Sequence, residues 1–271
     1  MRVYKPENYK DYDQVLNEIK SLFKKIDGQL LILGFDYVNK ISGKIKNDRF
    51  YDIRDSITLR IQSVLFHFQL FDSIHNPNKK LIVPNYSPIG TMALPIQQKF
   101  LFDSIIFNTI SIYDYLGCLI NFIIEKNKDR WEKTWSRLEN IARTNKSLKN
   151  TSLGKTIISC DKEWIGKLNE YRAELIHYRT EFLGSSETYS LKECKLDILI
   201  LAPNQLFKYF KTLKEIKNKE DLNINAIALW IIKTSFEIII EINEEIKIYL
   251  EEHRLIPIGN EIYKIKKTNA P

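Results

Sequence analysis

The sequence predicts an all-α protein, and three observations support this fold class. The chain of 271 residues contains nine glycines and eight prolines, too few for the many tight turns of a β-sandwich or barrel. Several long segments repeat apolar residues at spacings of three and four, which places those residues on one side of a helix. Hydrophobic residues make up 44% of the chain and charged residues 28%, as in an ordinary folded protein. We therefore expect a bundle of helices.

The first part of the chain, residues 1–90, is predicted to be a separate N-terminal helical region. Helices are expected over Asn8–Lys25 and Ile53–Phe71, which both have helical periodicity. The short apolar run Leu30–Val38 fits either a strand or a buried helix, and we favour a helix. Proline, asparagine and glycine residues disfavour helix over His75–Pro95, so this segment is the predicted connection between domains.

Residues 91–271 are predicted to form the larger helical bundle. Gln97–Glu125 is apolar on nearly every side, as in a helix surrounded by others. A helix over Asp129–Thr144 is expected to lead into a basic and polar loop over 145–159. The next helix is expected over Asp161–Phe182, ending before Gly184.

The remainder of this region mixes further elements. Leu196–Leu201 has the composition of a strand, so a small β element would decorate the bundle. A basic helix is expected over Asn204–Lys219, and the final helix over Asn223–His253, with Pro257 beyond its end.

Composition restricts the partners and the cellular compartment. The formal net charge of +7 favours an acidic partner such as RNA, although abundant lysine in the whole sequence explains it equally well.

Cys118, Cys160 and Cys194 are odd in number and widely separated, which argues against a disulfide framework and against a cysteine zinc site. We expect neither a metal nor a cofactor. The N-terminal residues lack the apolar core of a signal peptide, so a cytoplasmic protein is expected.

Two apolar segments have the length of a membrane span. Ser104–Ile124 contains Asp114 and two asparagines, and Ile224–Ile242 contains a lysine and two glutamates. These groups are too costly to expose to lipid. Both segments are therefore predicted to be core helices, and no membrane association is expected.

The Asp161–Phe182 helix carries two different sides. Its apolar residues alternate spacings of four and three and form a core stripe, namely Trp164, Leu168, Tyr171, Leu175, Tyr178 and Phe182. A second line lies nearly opposite and consists of Gly166, Glu170, Ala173 and His177. The small residues in this line would allow close approach of another helix, either from a second copy of the chain or from elsewhere in the same chain.

A family resemblance is carried by residues 171–179, which read Tyr-Arg-Ala-Glu-Leu-Ile-His-Tyr-Arg. This segment resembles the Arg-x(4–6)-His motif of HEPN domains, and the helices from Gln97 to Arg254 are similar to a HEPN core. The resemblance implies a HEPN-like bundle and a homodimeric, metal-independent endoribonuclease. It assigns catalysis to Arg172 and His177 and RNA binding to Tyr178 and Arg179.

The role expected from the resemblance is that of a toxin or defence component, with a protein antitoxin or regulator as a further partner. The residue types suit RNA cleavage. Imidazole exchanges protons near neutral pH, and a guanidinium stabilises the growing charge of a phosphate. Five residues of helix rotate Arg172 and His177 about 140° apart, so one helix does not aim both at one phosphate. A dimer that unites two motifs addresses this.

Alternatives stay open at several positions. Many HEPN motifs have a polar residue after the arginine, where this chain has Ala173, so a non-catalytic module that binds RNA, a nucleotide or a protein is the main alternative. A purely structural assembly protein is a third. Arg60-x6-His67 also matches the motif, but the aromatic context and helix-end position favour Arg172 and His177.

Two further surfaces have a functional and a structural interpretation. The first is a stripe in the Gln97–Glu125 helix, which either packs closely or lines a cleft, and it comprises Ser104, Asn108, Ser111, Tyr115 and Cys118. The second is the basic Asn204–Lys219 helix, which either contacts a nucleic acid or is an ordinary solvated helix; it carries Phe207, Lys208, Tyr209, Phe210, Lys211, Lys214 and Lys217.

Overall fold

The computed structural model describes residues 12–37, 48–75, 93–124, 134–177, 185–190, 195–216 and 222–253. Its α-helices are α1 (Tyr12–Tyr37), α2 (Asp48–His75), α3 (Ala93–Ile124), α4 (Trp135–Thr144), α5 (Lys146–Lys149), α6 (Ser152–Cys160), α7 (Gly166–His177), α8 (Leu206–Tyr209) and α9 (Ile224–Glu252). Strands β1 (Ser185–Ser190) and β2 (Lys195–Ile200) pair antiparallel. The predicted all-α bundle is confirmed.

The N-terminal helices are longer than the sequence predicted. A single helix, α1, covers most of Asn8–Lys25 and nearly all of Leu30–Val38, so the choice of helix for the second segment is confirmed. Helix α2 contains the whole of Ile53–Phe71. Helix α3 begins at Ala93, so the end of the predicted connection is wrong: Ala93–Pro95 is helical. Pro95 is compatible with the first turn, where the missing amide hydrogen would have no partner within the helix. Most of the predicted connection, residues 76–92, lies outside the described residues.

One hydrophobic core receives side chains from both predicted regions. Ile19, Ile57, Ile110, Leu168 and Ile239 are all fully or almost fully buried in it, and they come from α1, α2, α3, α7 and α9 respectively. The boundary predicted near residue 90 lies outside the described residues and stays a prediction.

Helix α3 is a central core helix. It is the described helix that is long and apolar enough to cross a membrane, over Ile96–Ile124, but 72% of its apolar 18-residue stretch is buried inside the molecule. Helix α9 is also buried along most of its length. Both segments that the sequence offered as core helices therefore lie in the bundle.

The predicted loop over 145–159 is wrong, because two short helices occupy it. The side chain of Asn145 accepts hydrogen bonds from the backbone of Ser147 and Leu148, and the Thr151 hydroxyl accepts one from Gly154. Such caps satisfy the first amides of a helix. Leu148, Leu153 and Ile157 are buried, so the helices also contribute to the core.

The predicted basic helix is also wrong in its extent. The described part of this segment, residues 204–216, contains the short helix α8 and a 3₁₀ turn over Lys211–Glu215. The two are separated at Phe210, whose φ of −112° and ψ of 78° are not helical. The predicted strand is present as β2, and its partner β1 was not predicted.

Candidate functional site

The helix that carries the arginine–histidine motif begins with an irregular turn. Residues Asp161–Ile165 form a π-helical turn that continues into α7. A Cβ atom at Gly166 would lie 2.9 Å from the backbone oxygen of Asp161. The backbone of the same helical segment therefore accounts for a glycine here, without a second helix packed against it. The Asp161 carboxylate accepts a hydrogen bond of 3.0 Å from the Trp135 indole nitrogen, which fixes the turn against α4.

The two sides predicted for α7 are present. Trp164, Leu168 and Tyr171 are buried, and Leu175 packs partly buried against the core. Tyr178 and Phe182, the remaining members of the stripe, lie outside the described residues. On the opposite side Glu170, Ala173 and His177 are exposed, whereas Gly166 is half-buried.

Arg172 lies at the edge between these two sides and reaches α3. Its Nη1 is 3.8 Å from Asp114 Oδ2 and donates a long hydrogen bond of 3.5 Å to Asn169 Oδ1. The Arg172 side chain is 31% exposed. Its Nε is buried and has no acceptor within the described part of the chain. The guanidinium is therefore held in place but retains donors for a further partner.

Asp114 links three helices at this point. Its Oδ1 accepts a hydrogen bond of 3.1 Å from the backbone nitrogen of Trp135, the first residue of α4. Burial raises the pKa of Asp114, an effect that the Trp135 hydrogen bond and the positive charge of Arg172 partly offset. The carboxylate therefore caps α4 and orients Arg172 from α3.

His177 is the last residue of α7 and lies in solvent. Arg172 extends towards α3, whereas His177 belongs to the exposed side, so the two side chains do not converge through contacts within one chain. Tyr178 and Arg179, the predicted RNA-binding residues, lie outside the described residues.

The second motif match lies on α2. Arg60 Nη1 donates a hydrogen bond of 3.1 Å to Asn108 Oδ1 on α3. His67 Nδ1 lies 2.7 Å from the backbone oxygen of Ser63. Because a carbonyl only accepts, Nδ1 is the donor, and this histidine is anchored to its own helix.

The polar stripe of α3 does not pack uniformly. Ser104 and Ser111 donate hydrogen bonds to backbone oxygens one turn earlier and are half-buried. Asn108 is 9% exposed and bridges to α2 through Arg60. Part of the stripe thus joins two helices, and part faces outwards.

The basic segment after β2 packs against α7 and the core. Glu174 accepts hydrogen bonds of 2.6 Å from Lys208 and 2.8 Å from the Tyr209 hydroxyl. These bonds lower the pKa of Glu174. Phe210 packs on Trp164 and Trp230, so its ring is not available to stack on a base.

Sequence reasoning treated Asp114 only as an obstacle to membrane insertion and did not connect it with Arg172. A carboxylate within an apolar helix needs a partner, and this signal could have indicated a nearby cation. Which cation it pairs with depends on the packing of α3 against α7. The Arg60–Asn108 pair was missed for a similar reason, because it depends on the packing of α2 against α3. Asn169 lies three residues before Arg172 on the same helix, so its spacing could have indicated this contact.

The described part of the chain holds no metal cluster, and it holds a small cavity that neither Arg172 nor His177 lines. Among the described residues no group of three or more histidine, cysteine, aspartate or glutamate side chains could hold a metal ion. One cavity of about 50 Å³ lies between α6, the π turn and α9, and it includes Cys160, Glu163 and Glu241. Pockets for small ligands are usually about 300–1,000 Å³, so this cavity is too small for a nucleotide.

No protein-family model, curated protein or solved structure matches this chain. In its class the molecule is an α-helical bundle with a small antiparallel hairpin. Its candidate site is the surface where α7 presents Arg172 beside Asp114 and ends in the exposed His177.

Proposed function

We propose that this protein is a metal-independent endoribonuclease of the HEPN type that acts in the cytoplasm. Arg172 is the single observation that carries the proposal. Its guanidinium is about one-third exposed, its contacts with Asp114 and Asn169 are long, and its buried Nε has no acceptor among the described residues. A buried donor without an acceptor costs free energy, and a phosphate oxygen is a suitable acceptor.

His177 is the proposed proton-transfer residue. It accepts the proton of a ribose 2′-hydroxyl, whose oxygen attacks the adjacent phosphorus, and the bond from phosphorus to the leaving 5′-oxygen breaks. The products are a 2′,3′-cyclic phosphate and a 5′-hydroxyl, the latter formed when the leaving oxygen takes up a proton. Its exposure at the end of α7 leaves His177 accessible to a strand of RNA.

A homodimer completes the proposed site. Because Arg172 and His177 are about 140° apart on one helix, the arginine of one protomer would act with the histidine of its partner. Ala173 and His177 are exposed in the single chain and are available for such an interface. Tyr178 and Arg179 are proposed to contact the RNA next to His177, and a protein antitoxin or regulator is proposed to restrain the activity.

The second candidate function is a non-catalytic module that binds RNA, a nucleotide or a protein. The Arg172–Asp114 pair favours the protein-binding form of this module, because Asp114 already supplies a negative charge to the guanidinium and would repel the phosphate of an RNA or a nucleotide. Ala173 adds to this case, since it offers no polar group beside the motif.

Three alanine variants test the proposed activity on single-stranded RNA. We expect His177→Ala to lower the cleavage rate by about 10²–10⁴, the usual contribution of a positioned acid or base. Arg172→Ala should abolish cleavage as well, because it removes charge stabilisation of the transition state. His67→Ala is the matched control and should cleave at the wild-type rate.

The readout is the rate of cutting of fluorescently labelled RNA, with circular dichroism to verify folding. Full activity in His177→Ala would exclude this mechanism. A wild-type protein that binds RNA without cutting it would favour the binding module.

A further inference from the structure

The outward side of α3 forms a polar surface between α2 and α7. Phe100, Ser104 and Ser111 lie on one side of α3 at helical spacings and are exposed or half-buried. Asn108 marks the margin towards α2, because it bonds to Arg60, and Asp114 marks the margin towards α7, because it lies beside Arg172. We call these five α3 residues the α3 strip.

Arg60 is a half-buried cation that has no counter-charge in the described part of the chain. Its hydrogen-bond partner, Asn108, is neutral, and no carboxylate within the described residues forms a salt bridge with it. Arg54, on the same helix, pairs with Asp55 instead. A partly buried charge that lacks a counter-charge costs free energy, and a bound anion would offset that cost.

The two arginines are placed to contact an extended polyanion. Asn108 and Asp114 are six residues apart, which corresponds to about 9 Å along the helix axis. Arg60 and Arg172 therefore mark two separate points at opposite margins of the α3 strip. A short stretch of extended RNA backbone spans such a distance, whereas a single phosphate would contact one arginine.

An aromatic ring completes the α3 strip. Phe100 is 63% exposed, although a phenylalanine is more stable when its ring is buried. Proteins that bind single-stranded nucleic acids combine cations for the backbone with exposed aromatic rings for the bases. Phe100 and Arg60 supply both on one surface.

We propose that the α3 strip binds single-stranded RNA, with Arg60 contacting a phosphate beyond the one at Arg172 and with Phe100 stacking on a base. This inference rests on the proposed function, in which Arg172 contacts the phosphate at which the RNA is cut. It adds a second phosphate contact at Arg60, a stacking ring at Phe100 and a path for the strand across α3.

The contribution of the Arg60 charge is tested by measuring how labelled hexauridylate binds to protein that also carries His177→Ala, in which cutting is expected to be slow. Arg60→Gln removes the charge but keeps a donor for Asn108. We expect it to reduce the slope of log K against log salt by about 0.7, the value for one phosphate contact on a single strand. Arg60→Lys should keep the slope, and the matched control Arg54→Gln should not change it.

The stacking contribution is tested with Phe100→Leu, which keeps an apolar side chain but removes the ring. We expect affinity for hexauridylate to fall at least about fivefold, the lower end for loss of one stacked base. Phe66→Leu is the matched control, since Phe66 is similarly exposed at 56% but lies on α2. Thermal unfolding of each variant verifies that the bundle is intact.

The outcomes separate this inference from the proposed function. If Arg60→Gln leaves the salt slope unchanged while the wild-type protein cleaves RNA, the α3 strip proposal is wrong and the nuclease proposal is retained. Variant-sensitive binding without any wild-type cleavage would support the α3 strip and reject the nuclease. Wild-type protein that does not bind hexauridylate would overturn the α3 strip.

Discussion

At the residue scale, Arg172 and Asp114 show how far the sequence alone could lead. The spacing placed the described members of the core stripe correctly, because buried residues of one helix must share a side. It could not place the arginine's partner, since Asp114 is far away in sequence and meets Arg172 only when α3 and α7 pack. Arg60 and Asn108 illustrate the same limit.

Asp114→Asn tests the electrostatics of this pair. Burial raises the pKa of Asp114 above its ordinary value of 3.8, so the folded protein binds this proton more readily than the unfolded chain does. The contribution of Asp114 to stability is present at low pH and is lost as pH rises through the raised pKa. Asparagine keeps an acceptor for Trp135 but carries no charge.

We therefore expect the stability of Asp114→Asn relative to wild type to increase between pH 3.5 and pH 7, measured by urea unfolding. Affinity for RNA should increase as well, because the repulsion of phosphate near Arg172 is removed. A variant whose relative stability falls over the same pH range would contradict this account of Asp114.

At the element scale, long helices were easier to predict than short ones. Helices α2 and α9 repeat apolar residues at helical spacings over many turns, and α3 is apolar on nearly every side. A single polar residue therefore does not hide the helical pattern. Helices α5 and α6 are short and depend on the caps at Asn145 and Thr151. Their polar composition resembles that of a loop until the burial of their apolar side chains is known.

Two glycines provide a test of helix packing. A Cβ at Gly154 in α6 would lie 2.0 Å from the backbone oxygen of Leu148, whereas a Cβ at Gly28 in α1 would meet nothing within 4 Å. We expect Gly154→Ala to lower the free energy of unfolding by about 1–3 kcal/mol or more through overpacking. Gly28→Ala should raise it by about 0.5–1 kcal/mol, because alanine favours the helix.

Chemical denaturation of both variants measures these changes under identical conditions. Equal stability of the two alanine variants would show that α6 does not approach Leu148 as closely as described.

At the scale of the whole molecule, the described helices form one bundle around a common core, while the proposed dimer would unite two such bundles. The fold class followed from composition and periodicity. Self-association could not be derived from the sequence. A small residue on a helix surface can also be required by the backbone of the same helix, as at Gly166.

Ala173→Glu tests the dimer. Ala173 is exposed on the proposed interface, and a symmetric pair would bring two introduced carboxylates together. We expect the dimer to dissociate at concentrations where wild type is dimeric, measured by light scattering across a dilution series. Ser152→Glu, at an exposed position of α6, is the control and should leave the dimer intact. A wild-type protein that is monomeric at high concentration would contradict the interface.

The chemical nature of the RNA ends tests the central claim most directly. Wild-type protein is incubated with single-stranded RNA in excess chelator, and the products are analysed by mass spectrometry beside those of His177→Ala. The account predicts fragments ending in a 2′,3′-cyclic phosphate, formed by wild type despite the chelator and greatly reduced in the variant. Cleavage that requires a divalent metal, or the same products from His177→Ala at the wild-type rate, would contradict it.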